Sequence, residues 1–367
     1  MSLGEETAAE ARPDSKAGTS PSGTTGTTGK SPARPGGPMS SLGPAVTRAR
    51  ELALVATGLA TYPARMLPSF LIVGGARCGS TSMFIALTWH PAVFGAGQQK
   101  KHLNYFDDKY RRGMPWYQSH FPLKAQARLA TRGAGLTPVA FEATPDYMYH
   151  PLAPERIARD LPGVKLLALV RDPVERAGSQ HAYQVIDGYE KESFEKALEL
   201  EDARLEGEVE RMVADPSYYS YNYQHFGYRA RGHYADQLER LEKLVGRDRI
   251  HVIDSDDFFA DPGPVYDQVI EFLGLPNRGY PPFGRHNARP RTPMPQTVRT
   301  GLEEHFRPHD ERLAAWLGRE PSWRRSPPAT DPDGGRQRRP LPRLRRAIRG
   351  SGAWGVSGAR DLSGTRG

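Results

Sequence analysis

Cysteine is almost missing from this sequence: Cys78 stands alone among 367 residues. An internal disulfide framework is therefore excluded, and a reducing compartment suits the chain. No uninterrupted run of about 18 apolar residues occurs, the length a membrane helix needs. Residues 52–60 are the nearest candidate, but they are too short to span and are not N-terminal. A soluble, cytoplasmic protein is the expectation. No Cys/His cluster at ligand spacing argues for zinc, so no metal is expected. Internal repeats and a second apolar core are missing too, so residues 45–323 are expected to fold as one domain.

Lysine is absent from residues 324–367, where eleven arginines stand against three acids. The resulting +8 equals the net charge of the whole chain, which leaves the remainder close to neutral. The basicity thus lies outside the probable fold, and nothing there argues for nucleic acid as a partner. Leu341, Leu344 and Ile348 fall roughly on one helical face among those arginines. Such a segment could make weak contact with an anionic membrane, although a solvated tail is the simpler reading. Residues 1–44 are rich in Gly, Ser, Thr, Pro and Ala without apolar periodicity, and they read as disordered.

What the sequence does contain is centred on Ser69 to Met83. The apolar run Phe70 to Val73 gives way to Gly74, Gly75, Ala76, Arg77, Cys78 and Gly79, then to Ser80, Thr81 and Ser82, and then to an apolar helical segment. That order predicts a buried strand, a tight glycine turn and a helix N-terminus. Backbone N–H groups converging there, aided by the helix dipole, make a cradle for phosphate. A nucleoside-triphosphate loop would carry lysine after the second glycine, but here the residue is Ser80 and the loop's only cation is Arg77.

About 90 residues later, Val164 to Val170 reads as a strand buried on both faces. It stops at Arg171-Asp172-Pro173 and leads into a helix that carries Ser179. An arginine and a serine hydroxyl at that separation are suited to a phosphate monoester. Asp172 could be read as a magnesium ligand of a nucleotide hydrolase, but its place before a helix-opening proline favours a cap.

Taken together, the two segments resemble the 5′-phosphosulfate loop and the 3′-phosphate motif of sulfotransferases that use 3′-phosphoadenosine 5′-phosphosulfate. The pattern is most similar to carbohydrate (heparan-sulfate-type) and bacterial members. The resemblance covers residues 68–323 and implies an α/β fold, a P-loop-like parallel sheet flanked by helices. It also implies donor binding by Gly74 through Ser82 and by Arg171 and Ser179, with a carbohydrate or other small-molecule hydroxyl as acceptor. The family usually has lysine where this chain has Arg77, so Arg77 is expected to stabilise the leaving group.

The stretch Lys101-His-Leu-Asn-Tyr-Phe-Asp107 is similar to the family segment that carries the catalytic glutamate. His102 takes that position here, and an imidazole suits proton abstraction near neutral pH. Lys101 beside it could neutralise charge on the leaving group. Glu142, in Glu142-Ala-Thr-Pro-Asp-Tyr147, is the alternative base; the family's lysine at the next position is replaced by Ala143. Arg285 and Arg289 lie where related enzymes close a basic loop over the donor. Tyr221, Tyr223 and Tyr228 could stack on a ligand, with core packing the better reading. Two other functions stay open: a small-molecule kinase of the P-loop class, and a catalytically inactive binding protein on the same fold.

Overall fold

The computed structural model describes residues 56–96, 102–286 and 293–325. The segment 1–44, Lys101, Arg289 and the tail beyond Arg325 lie outside the described residues, and with them the expectations of disorder, of membrane contact and of a Lys101 or Arg289 role. Residues 56–61 are helical.

After that helix come β1 (Phe70–Gly74), α1 (Ser80–Thr88), β2 (Val93–Gly95), α2 (Gly113–Gln118), α3 (Lys124–Arg132), β3 (Val139–Ala143), α4 (Ala153–Asp160) and β4 (Lys165–Val170). It continues through α5 (Pro173–Ile186), α6 (Phe194–Leu205), α7 (Glu208–Ala214), α8 (Tyr221–Phe226), α9 (Tyr234–Val245), β5 (Ile250–Asp254), α10 (Ser255–Ala260), α11 (Pro262–Leu273) and α12 (Gln296–Leu317). The five strands form one sheet in the order β2-β3-β1-β4-β5, with every pairing parallel. β1 lies in the middle and is buried along its whole length, as its unbroken apolar run requires. The chain leaves β1 toward one edge and returns on the other side of it at β4. Such a reversal opens a crevice at the carboxyl ends of the strands, and the loops after β1 and β4 both lie there.

Phe70 stacks on Phe141 of the neighbouring strand at 4.8 Å, and Phe84 of α1 closes on the same ring at 5.0 Å. Each such buried ring contributes on the order of 2–3 kcal/mol through apolar area alone. α9 buries Tyr234, Leu238, Leu241 and Val245, a 3.6-residue stripe. Leu244 is turned partly to solvent because it falls about 100° from that stripe.

Residues 105–109 form turns, with the Lys109 amide donating to the Asn104 carbonyl at 2.9 Å. Asp172 does cap α5, its carboxylate accepting from the Val174 amide at 2.9 Å. Among the described residues, no helix is long and apolar enough to cross a membrane.

Candidate active site

The glycine turn after β1 is held by its own backbone. The Gly75 amide donates to the Leu169 carbonyl of β4, and the Cys78 amide donates back to Gly75. Gly79 ends the turn at φ +84°, and a Cβ there would meet the Phe259 ring at 2.9 Å, so side chains are excluded on both counts. α1 then starts with its N-terminal end at the cleft, where Ala76, Arg77, Gly79, Ser80 and Thr81 line the wall. Gly74, Gly75, Cys78 and Ser82 lie behind that wall. Cys78 is fully buried beside the Tyr234 hydroxyl, and burial pushes its thiol up. The Ser82 hydroxyl accepts from the His286 amide at 3.0 Å, so it holds the Arg285 loop rather than facing the cleft.

The loop and the β4 segment meet. Arg77 reaches α5: its Nε donates to Ser179 Oγ at 3.2 Å, and its guanidinium lies over the Tyr183 ring, 4.9 Å from the centroid. Arg171 donates to the Arg77 carbonyl at 3.5 Å, and its own carbonyl accepts from the Tyr234 hydroxyl at 3.0 Å. Glu175 balances Arg171 at 3.9 Å and also pairs with Arg299. Arg77, Arg171, Ser179 and Arg285 therefore border one cleft, Arg285 lying 4.7 Å above the Phe259 ring. The cleft they border has a volume of about 560 Å³.

His102 lines the same cleft, in a left-handed backbone conformation at φ +66°, with its amide donating to the Ala143 carbonyl at 2.9 Å. A non-glycine residue at that φ stores local strain, a feature that often accompanies functional positions. Asp146 stands near it. Burial alone would raise the Asp146 carboxyl, but its ion pair with Arg231, helped by His102 and His150, holds it below the usual carboxylate range.

Glu142 is placed differently from its expected role as a base. Its side chain is fully buried in β3, away from the cleft, and burial pushes its carboxyl up to about 8. No hydrogen bond of normal geometry reaches either oxygen, although the nearby Tyr147 hydroxyl and Leu103 amide favour the charged form. The strand alternation that turns Phe141 one way turns Glu142 toward the Tyr117 and Tyr147 side of the core.

Several residues of the cleft were not anticipated: Gln180, Tyr183 and Gln184 on α5, then Tyr189, Gln224, His225 and Arg231. On α5 a signal existed, because Ser179 and Tyr183, like Gln180 and Gln184, are four apart and share a face. Tyr189 stacks on His225 at 4.0 Å, and Tyr221 lies 4.6 Å from the same imidazole. Tyr223 and Tyr228 are core residues, donating to the Tyr149 carbonyl and to Glu190 at 2.8 Å each. A second depression of about 530 Å³ opens at the opposite ends of the strands, near Leu67, Asp160 and Lys165, with no such convergence of arginines.

The expectation that no histidines cluster is also revised. Folding brings His233 together with His305 and His309, away from the cleft. Only the last two are neighbours in sequence, so spacing alone did not reveal the group.

Residues 67–281 match the family described as "Sulfotransferase domain". A membrane-associated sulfotransferase of Dictyostelium discoideum is 25% identical over 327 residues, covering 70% of this chain and 66% of its own. The Homo sapiens heparan sulfate glucosamine 3-O-sulfotransferase 5 is 28% identical over 216 residues, covering 58% of this chain and 55% of its own. The chain thus spans about two thirds of the first relative's length and just over half of the second's. Among solved structures, a sulfotransferase from Alicyclobacillus acidocaldarius superposes with a TM-score of 0.51 at 29% identity, covering 71% of this chain and 100% of its own.

Proposed function

Because the chain belongs to the sulfotransferase domain family, we propose that it moves a sulfuryl group from 3′-phosphoadenosine 5′-phosphosulfate to a hydroxyl of a carbohydrate or another small-molecule acceptor. One observation carries this reading: the glycine turn with Arg77 and the strand end with Arg171 and Ser179 border one cleft, so both ends of a bisphosphorylated nucleotide can be gripped at once.

In the proposed reaction His102 takes the acceptor proton. A new bond forms between the acceptor oxygen and sulfur as the bond from sulfur to the 5′-phosphate oxygen breaks, and the electron pair stays on the phosphate. Arg77, the turn amides and the Ser80 and Thr81 hydroxyls stabilise that developing charge, a fixed electrostatic contribution of the oxyanion type. Arg171 and Ser179 hold the 3′-phosphate, and Arg285 closes over the nucleotide. Asp146 favours the imidazolium that forms on His102. Glu142 has no part in proton transfer, since its carboxyl is sealed in the core.

The acceptor end supports an uncharged polyhydroxylated ligand. Gln184 and Gln224 offer amide donors and acceptors there, Tyr189 offers an exposed ring face, and the local cation Arg231 is neutralised by Asp146. The kinase reading loses support because Ser80 replaces the expected lysine and the Asp172 carboxylate is engaged as a cap.

Comparative thermal shifts test the donor class. The melting temperature is expected to rise with 3′-phosphoadenosine 5′-phosphate and to stay unchanged with ATP and magnesium; the reverse pattern would overturn the reading. Transfer of labelled sulfate to a sugar panel or a cell extract then separates an enzyme from a binding protein.

A further inference from the structure

The N-terminal end of α9 and the middle of α12 carry a group that the sulfuryl-transfer reading does not use. His233 stands at the N-cap position of α9 without a capping side-chain bond, while His305 and His309, four residues apart, project from one face of α12. One ligand nitrogen from each of the three lies within 4.8 Å of the others, and among the described residues no other group of histidine, cysteine and carboxylate side chains is so gathered. The Nε2 atoms of His233 and His305 share a hydrogen bond at 2.9 Å, which a bound ion would replace. His309 Nδ1 is buried and has no hydrogen-bond partner. A lone pair or N–H left so is costly unless something occupies it.

We propose that His233, His305 and His309 form a binding site for a divalent transition metal of the zinc class, completed by water, which clamps α12 to α9. Three imidazoles and a water are a complete tetrahedral set for such an ion. Metal–nitrogen distances of about 2.0–2.1 Å require the nitrogens to stand about 3.3 Å apart, which lies within the 4.8 Å that the three share. His233 and His309 are stacked, with centroids 3.8 Å apart and planes 7° from parallel. A shared ion therefore requires one of these two rings to turn out of the stack.

A carboxylate is close but engaged, since Asp236 pairs with Arg312 at 2.6 Å. The clamp also bears on the cleft at one remove. The residue after His233 is Tyr234, whose hydroxyl supports the Arg171 carbonyl. None of the three histidines lines the cleft itself, so the ion would act on helix packing and not on the reacting atoms.

Cobalt titration of the chelator-stripped full chain tests the site. Wild type is expected to take up one equivalent with the visible bands of a tetrahedral cobalt centre, zinc is expected to displace it, and zinc is expected to raise the melting temperature. His305→Gln and His309→Gln, checked for native circular dichroism, should each weaken uptake at least about 100-fold and abolish the zinc-dependent rise. A folded wild type that develops no tetrahedral cobalt spectrum would overturn the proposal. So would variants that titrate like wild type, because the metal would then be held by other histidines of the chain.

Discussion

At one end of the cleft the walls come from two short segments, Ala76 to Thr81 after β1 and Arg171 to Ser179 after β4. At the other end, His102, Asp146, Gln184, Tyr189, His225 and Arg231 come from segments scattered over about 130 positions, held by aromatic stacking and one ion pair. The first end is cationic and backbone-rich, suited to one fixed ligand. The second is neutral overall and made of exchangeable side chains. A donor common to a family needs the first arrangement, and acceptors that differ among relatives need the second. The two ends should therefore fail in different ways when altered.

The largest expected effect is at the acceptor end. His102→Ala should lower kcat by about 10²- to 10⁴-fold, the usual share of a general base. Isothermal titration with 3′-phosphoadenosine 5′-phosphate should meanwhile give a nearly unchanged Kd. Loss of nucleotide binding in step with kcat would erase the distinction between the ends.

Arg77→Ala should remove about 2–4 kcal/mol of transition-state stabilisation, roughly 30- to 1000-fold in kcat/KM. Because Arg77 also bonds Ser179, nucleotide binding should weaken as well, which sharpens the contrast with His102. Turnover within a few fold of wild type would remove Arg77 from the reaction.

The smallest effect concerns Glu142, which belongs to neither end. Its folded-state pKa, raised to about 8, lies above the unfolded value of about 4.3. The folded chain holds this proton more tightly, so the group's contribution is complete below about pH 4.3 and is lost as pH rises through about 8. Glu142→Gln keeps a neutral side chain at every pH. It should flatten that decline, leaving the variant more stable than wild type near pH 8. Activity should be preserved. A variant that melts normally but has lost turnover would return Glu142 to the role of base.

The same contrast explains what the sequence made readable. β1 and β4 are unbroken apolar runs that each stop at a glycine or an arginine, so the strand, the turn and the anion site can be read in one short window. Asp172 before Pro173 announced its cap in the same way. Tyr189, His225 and Arg231 carry no local signature, because their proximity depends on how α5, α8 and the turn before α9 pack. Glu142 misled for a related reason. Its motif fixed its place beside the acceptor segment, whereas the strand's two-residue alternation, which turns it inward, is masked by the burial of β3 on both faces. His233 lies 72 positions from His305, too far for spacing to suggest a cluster.

The central claim is that one nucleotide is held at both of its phosphate-bearing positions, the 3′ end by Arg171. Its most direct test is calorimetry of wild type and Arg171→Ala with two ligands, 3′-phosphoadenosine 5′-phosphate and adenosine 5′-phosphate, which lacks the 3′ group. Wild type should prefer the bisphosphate by about 1.5–3 kcal/mol, the worth of hydrogen bonds to a charged group, and Arg171→Ala should lose most of that preference while binding the monophosphate as wild type does. Equal losses for both ligands, with the preference intact, would contradict the account.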